Sequence, residues 1–437
     1  MAKSRKYLSA NGLLQAVRNG FKRILDARGK AADISLADAL MSAFAMFSLK
    51  YPSLLAFDRD RDNANLRSIY GLSRIPSDTQ MRVIVDEVSQ DAIRPLFKDI
   101  FRKLQRGKAL EPFVFMDNSY LLSLDGTGYF SSTQVHCPSC LEKKNKSTGT
   151  VTYSHQMLGA VIVHPDLREV IPLAPEPIIK QDGETKNDCE RNAAKRLLAA
   201  IRSDHPHLRL VVVEDGLSSN APHIREILKY KMHYILGAKE GDHPFLFEQL
   251  EQAHKNNLTT TFELQDEDNP EITHRFRFLN QVPLNNSNMD LLVNFIEYWE
   301  VKPNRTRHFA WVTDFTVTND NAFQIMRGGR ARWKIENETF NTLKNQGYQF
   351  EHNFGHGNKN LSVVFAMLMM LAFLVDQVQQ LCCVLFQAVL GKLGAKTALW
   401  FKVRGLFDNF IIASMQQLYC ALLHGFNKPL IPIAYSG

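Results

Sequence analysis

The chain is poor in the features of a secreted, membrane-spanning or nucleotide-binding protein. Its six cysteines, Cys137, Cys140, Cys189, Cys382, Cys383 and Cys420, are too few and too unevenly spaced for a disulfide framework in 437 residues. No apolar segment with a cleavage site follows Met1, which argues against export. The longest apolar run, 361–375, is interrupted by Ser362, is closed by Asp376, and is shorter than the ~20 residues a spanning helix needs. Neither a G-x4-GK[ST] loop nor a G-x-G-x-x-G turn is present, so nothing points to a nucleotide cofactor. Internal repeats and low-complexity linkers are missing too. Together these absences point to a folded protein of the reducing cytoplasm.

What is present is an ordinary globular composition, 45% hydrophobic and 22% charged, long enough for two or three domains. The net charge of +7 is unevenly distributed. Residues 1–110 carry 20 Lys and Arg against 11 Asp and Glu, and the rest of the chain is slightly acidic. A basic N-terminal quarter suits sequence-independent attraction to phosphates, although a solvated helical surface would have the same composition.

Periodicity divides the chain further. Leu36-Ala-Asp-Ala-Leu-Met-Ser-Ala-Phe-Ala-Met-Phe and the stretch 91–106 are apolar at helical spacing. Asn65-Leu-Arg-Ser-Ile-Tyr-Gly71 precedes a helix opened by Ser77 and Gln80, which have capping-box spacing; the pair suits either a helix-turn-helix or a plain bundle. From Phe113 the pattern becomes strand-like: 113–116, 120–125, 157–163 and 169–173, then a helix from Asn187 to Arg202. The β-branched run Leu208-Arg-Leu-Val-Val-Val213 reads as a central strand. Asn220 and Pro222 open another helix, and Tyr234-Ile-Leu-Gly237 is a short strand. Period-two alternation at 259–264, 274–278 and 294–301 marks a β-rich segment, 240–315, and the region 360–437 is helical.

Three separated stretches each offer a carboxylate suited to a hard divalent cation. Asp125 and Asp215 are expected where strands run into Gly turns. Glu336 is expected on a helix that also carries Arg330, Arg332 and Lys334, following a break or kink at Gly328-Gly329. Neighbours in a strand point to opposite faces, so only one of Glu214 and Asp215 can face a metal, and Asp215 is the choice because it lies at the strand–turn junction. Asp-Gly pairs also serve as plain turns, and Arg–Glu pairs as plain surface helix. As a set the carboxylates suit two Mg²⁺ or Mn²⁺ ions clamping the oxygens of a phosphodiester.

Arg332-x3-Glu336, with Lys344 beyond it, resembles the Tyr-x2-Arg-x3-Glu-x6-Lys signature of DDE transposases of bacterial insertion sequences. Gly329 occupies the Tyr position, and the Lys falls one residue late. The resemblance covers 114–359. It implies an α/β fold, a ribonuclease-H-like mixed sheet flanked by helices. The core would span 111–239 and be completed by the catalytic helix and loop of 316–359 around the β-rich insertion. Residues 1–110 would be a basic DNA-binding domain. The resemblance further implies that Asp125, Asp215 and Glu336 bind Mg²⁺, with Glu338 as the alternative third ligand, and that Arg332 and Lys344, with Arg330 and Lys334, hold DNA. The expected function is cutting of element ends and transfer of the 3′-OH strand to target DNA by a homodimer on DNA, in the bacterial cytoplasm at the nucleoid. The alternatives are a nuclease without strand transfer and a catalytically inactive DNA-binding descendant.

His136-Cys137-Pro138-Ser139-Cys140 contains one C-x2-C, with His155 downstream. Cys137, Cys140, His136 and His155 are candidate ligands of a structural Zn²⁺, the alternative being a plain hairpin loop. In Glu351-His-Asn-Phe-Gly-His-Gly-Asn-Lys359, the His and Asn residues are candidates for DNA contact or for packing near the active site.

Overall fold

A computed structural model describes residues 6–29, 32–180, 189–425 and 431–432; the start of the helix expected from Asn187 lies outside them. Eleven strands form one sheet: β1 Tyr120–Ser132, β2 Leu141–Lys144, β3 Val151–Val163, β4 Ile171–Pro172, β5 Glu176–Ile178, β6 Leu210–Glu214, β7 His233–Gly237, β8 Thr260–Gln265, β9 Thr273–Pro283, β10 Leu292–Lys302 and β11 Arg305–Thr313. The order is β2-β3-β1-β6-β7-β11-β10-β9-β8, with β4 and β5 both paired to β3. β1 and β3 are antiparallel, whereas β6 lies parallel to β1 and β7 parallel to β6. Helices Glu190–Asp204 and Ala221–Lys229 make the connections into β6 and β7. This is a ribonuclease-H-like mixed sheet. Its central strand β6 is buried at every position, as the Leu-Val-Val-Val run requires.

The β-rich segment is continuous with this sheet. β11 pairs antiparallel with β7, and β10, β9 and β8 extend the sheet outward. The stretch 113–116, expected as a strand, instead ends the single helical turn Glu111–Phe113, crosses Val114 and Phe115, and begins the turn Met116–Asn118. Pro112 starts the first turn, while Asp117 and Asn118 adopt left-handed φ values of 49° and 55° that no strand accommodates.

The helix Leu361–Cys382 runs beyond the apolar stretch expected from sequence. Among the described residues it is the one long and apolar enough to cross a bilayer, and it is almost wholly buried. It packs against the helices Leu36–Ser48, Asp78–Asp86 and Gln90–Arg106 and against β4. The described N-terminal helices therefore share one core with the C-terminal helices. Ser77 and Gln80 form the reciprocal capping box, but the helix they open buries Met81, Ile84 and Val85 within the bundle. The bundle reading, not a protruding helix-turn-helix, describes this region.

Asp86 ties the two ends together. Its carboxylate accepts from the backbone N–H groups of Asn358, Lys359, Asn360 and Leu361 at 2.9–3.0 Å, capping the long helix. Gly357 beside it has φ 66°, and a Cβ there would overlap this carboxylate. Burial opposes ionisation of Asp86, but the backbone donors outweigh it and hold the group below the ordinary range. Asp86→Asn is expected to cost about 1–3 kcal/mol, read from denaturant midpoints. Because the folded pKa is lowered, the stabilisation is complete above the unfolded value and is lost as pH falls through the folded one. The gap between Asp86→Asn and wild type should therefore narrow in acid; a pH-independent gap would rule out the charge as its source.

Candidate active site

Asp125 lies within β1, not at its end. The strand continues through Gly126-Thr127-Gly128 to Ser132, held by pairing with β3 from Leu121–Val163 to Ser132–Tyr153, with a bulge between Gly128 and Phe130. The glycine admits a neighbour where a turn was expected: a Cβ on Gly126 would overlap the Glu190 carboxylate. Asp215 follows β6 directly. Its Oδ1 accepts from Leu217 N–H at 3.0 Å, fixing the side chain at the strand exit.

Glu336 sits in a widened π turn, Ile335–Phe340, that interrupts the helical segment between Ala322–Ala331 and Asn341–Asn345. Such turns are rare and occur frequently at functional sites. The expected break at Gly328-Gly329 is absent, since both lie inside the first helix. Their role is close packing: a Cβ on Gly329 would overlap the Trp311 indole, and one on Gly328 would meet Ile235 and Phe115 at 3.0 Å. Trp311 thus occupies the space a signature Tyr would need. Gly329→Ala is expected to destabilise the protein by roughly 1–3 kcal/mol through overpacking, measured by denaturant titration; an unchanged midpoint would remove that explanation.

Arg332 lies between two of the carboxylates. Its Nη1 is 2.6 Å from Glu336 Oε1 and 3.8 Å from Asp125 Oδ2, its guanidinium lies over Trp333, and its carbonyl accepts from Ser123 Oγ. The residue is 9% exposed and serves as an internal counter-ion to these carboxylates. Burial, followed by the charge of Glu336, lifts Asp125 to about 7 against the opposing pull of Arg332; Asp215 adds to the rise. Glu336 and Asp215 therefore both act on Asp125. Glu338 instead acts on Lys334 and Lys396, which favours Glu336 as the third member.

Beside Asp125 and Asp215 opens a cavity of about 520 Å³, also walled by Glu190, Glu214 and His223. Glu336 stands outside its walls. His223 Nε2 is 2.5 Å from Glu214 Oε2. Burial alone would lower the His223 pKa, but the Glu214 charge and hydrogen bond raise it, so Glu214 is committed to an internal pair. Glu190 at the cavity wall is raised by desolvation, then by Asp215 and Glu214. Sequence reading missed both Glu190 and His223. His223 had one signal, its place in the first turn after the Asn220 cap.

The other expected DNA contacts are also engaged. Arg330 pairs with Glu300 at 3.0 Å and lies over Phe309; Lys334 donates to the Leu167 carbonyl at 2.5 Å. Both are only half-buried. Lys344 pairs with Glu351, whose carboxylate is well exposed, and so remains within reach of solvent.

Cys137, Cys140 and His155 do come together. His136 does not join them: it is exposed and stacks on Tyr153 with ring centroids 4.3 Å apart. The fourth member is His356 from the loop after the Glu336 segment, where Gly355 and Gly357 flank it.

Residues 131–374, more than half of the chain, match the transposase DDE domain family. No curated protein matches the sequence. Among solved structures, a piggyBac transposase in a cryo-EM synaptic complex with hairpin DNA is similar at a TM-score of 0.41 and 12% identity, over 96% of this chain and 82% of that one. With the family matched across β3, β6, Asp215 and the Glu336 segment, the chain belongs to the DDE-domain transposases and is a DNA transposase.

Proposed function

We propose that Asp125, Asp215 and Glu336 are the catalytic carboxylates of this transposase, that they hold Mg²⁺ or Mn²⁺, and that the protein cuts element ends and joins the freed 3′-OH to target DNA. The observation that carries this reading is geometric: Arg332 reaches both Glu336, at 2.6 Å, and Asp125, at 3.8 Å, and Asp125 shares a cavity wall with Asp215. Enzymes of this family work with divalent metal ions, and the donor set fits one: three carboxylates offering oxygen ligands, with Arg332 as the cation between Asp125 and Glu336. Bound there, such ions would stabilise charge on the attacking and leaving oxygens of the phosphodiester.

The chain's own residues set the stage. β1 carries Asp125, and the adjacent parallel β6 delivers Asp215 at its exit, where the Leu217 N–H fixes the side chain. Arg332 reaches both Glu336 and Asp125 before any substrate arrives. In the cutting step, water oxygen bonds to phosphorus as the bond to the 3′ oxygen breaks, leaving a 3′-OH and a 5′-phosphate. In the joining step, that hydroxyl bonds to a target phosphorus, its proton leaves, and the target 3′ oxygen departs.

Residues 1–110 supply the long-range attraction to DNA, Lys344 supports the strand near Glu336, and two copies act on the two ends. Affinity should fall linearly in logarithm with the logarithm of salt. The deciding experiment is incubation of the full chain with Mg²⁺ and labelled DNA spanning the ends of its own element. Cleavage followed by joining is expected; cleavage alone would make it a nuclease, and binding alone an inactive descendant.

A further inference from the structure

Cys137, Cys140, His155 and His356 meet far from any role in phosphoryl transfer. Their ligand atoms all lie within 4.8 Å of one another. Cys140 and His155 are each 1% exposed, Cys137 8% and His356 9%. The two sulfurs are 3.8 Å apart, almost twice the length of a disulfide bond. His155 Nε2 is 3.4 Å from Cys137 Sγ and 3.5 Å from Cys140 Sγ, and His356 Nε2 is 3.1 Å from Cys140 Sγ.

These distances are close to the edges of a zinc tetrahedron. Zinc–sulfur bonds of about 2.3 Å and zinc–nitrogen bonds of about 2.0–2.1 Å at tetrahedral angles place sulfurs about 3.8 Å apart and sulfur about 3.5 Å from nitrogen. Both rings present Nε2 to the cluster, while both Nδ1 atoms are buried without a partner, so Nε2 is the coordinating nitrogen on each. The surroundings are aromatic: Tyr129 stacks on His155, and Phe130 lies 4.3 Å from His356. A dry pocket holding two thiols and two imidazoles that are not otherwise anchored gains most from a cation that binds all four.

We infer that Cys137, Cys140, His155 and His356 bind one structural Zn²⁺, which clasps the loop following the Glu336 segment to the β1–β3 hairpin. Four protein ligands close the coordination sphere, so the ion has no open position for water or substrate. The loop it would hold carries His356 only a few residues from the backbone groups capped by Asp86, and the hairpin it would hold includes the strand of Asp125. The clasp therefore fixes both flanks of the carboxylate site without taking part in chemistry. It stands or falls independently of the catalytic assignment.

The test is elemental analysis of the full chain purified from zinc-supplemented medium, with folding checked by circular dichroism. Wild type should carry about one zinc per chain. Cys140→Ser and His356→Ala should lose it, His136→Ala should keep it, and His356→Cys should keep it by supplying a thiolate instead. Amide exchange in residues 350–360 should speed up about tenfold or more when wild-type protein is treated with a chelator. Folded wild-type protein without metal, or zinc retained in His356→Ala but lost in His136→Ala, would overturn the assignment. An exchange rate unchanged by chelation would overturn the clasp.

Discussion

Asp125→Ala, Asp215→Ala and Glu336→Ala should each lower DNA strand cleavage by roughly three orders of magnitude or more, while leaving DNA affinity within a few-fold of wild type. Removing one preorganised group from a charge-stabilising site costs about 10²–10³, and members of a unit that act together cost more. DNA affinity is spared because the basic excess lies in residues 1–110, away from these side chains in sequence. Asp125→Ala removes a carboxylate that burial and the Glu336 charge hold at about 7, so its loss should not destabilise the fold. Gel-based cleavage of end-labelled DNA, with a filter-binding assay in parallel, makes the measurement. Full cleavage by Glu336→Ala together with its loss in Glu338→Ala would move the third ligand by two residues.

The second large effect concerns stability. Lys50 Nζ is 2.7 Å from Asp376 Oδ2, with side chains only 2% and 7% exposed. Tyr348 donates to the same oxygen at 2.5 Å, and the ammonium also lies over the Tyr348 and Trp400 rings. Burial pushes Lys50 down and Asp376 up, each opposed by the other's charge. Truncating one member strands a buried charge, so Asp376→Ala should cost about 3–5 kcal/mol in a denaturant titration. The double change Lys50→Met with Asp376→Leu should recover most of that loss, because an apolar pair needs no compensation. If the single and double variants unfold at the same midpoint, the pair is not coupled.

Local chemistry was readable where local chemistry decides. The β-branched run 210–213 became the fully buried β6, and the Ser77–Gln80 and Asn220 caps open helices at the expected places. Asp125-Gly126 misled because Asp-Gly reads as a turn, whereas eleven residue pairs with β3 carry the strand through it. The π turn at Glu336 and the buried pairing of Arg332 arise from contacts with β1, which helical spacing alone does not encode. His356 had no signal linking it to Cys140, 216 positions earlier, and adjacent His136 was the natural but mistaken choice. Gly329 shows the converse: a departure from a signature became intelligible once Trp311 was seen filling the space.

The shared core of the N-terminal helices and Leu361–Cys382 has a consequence for synthesis. Lys50 must wait 326 residues for Asp376. At translation speeds of about 5–20 residues per second, that is roughly 15 to 65 s during which the Leu36–Ser48 helix lacks its partner Leu361–Cys382, although its N-terminal neighbours are already made. A copy of the gene interrupted before codon 361 would yield a product with an exposed apolar helix, degraded before it could compete with intact copies for element ends.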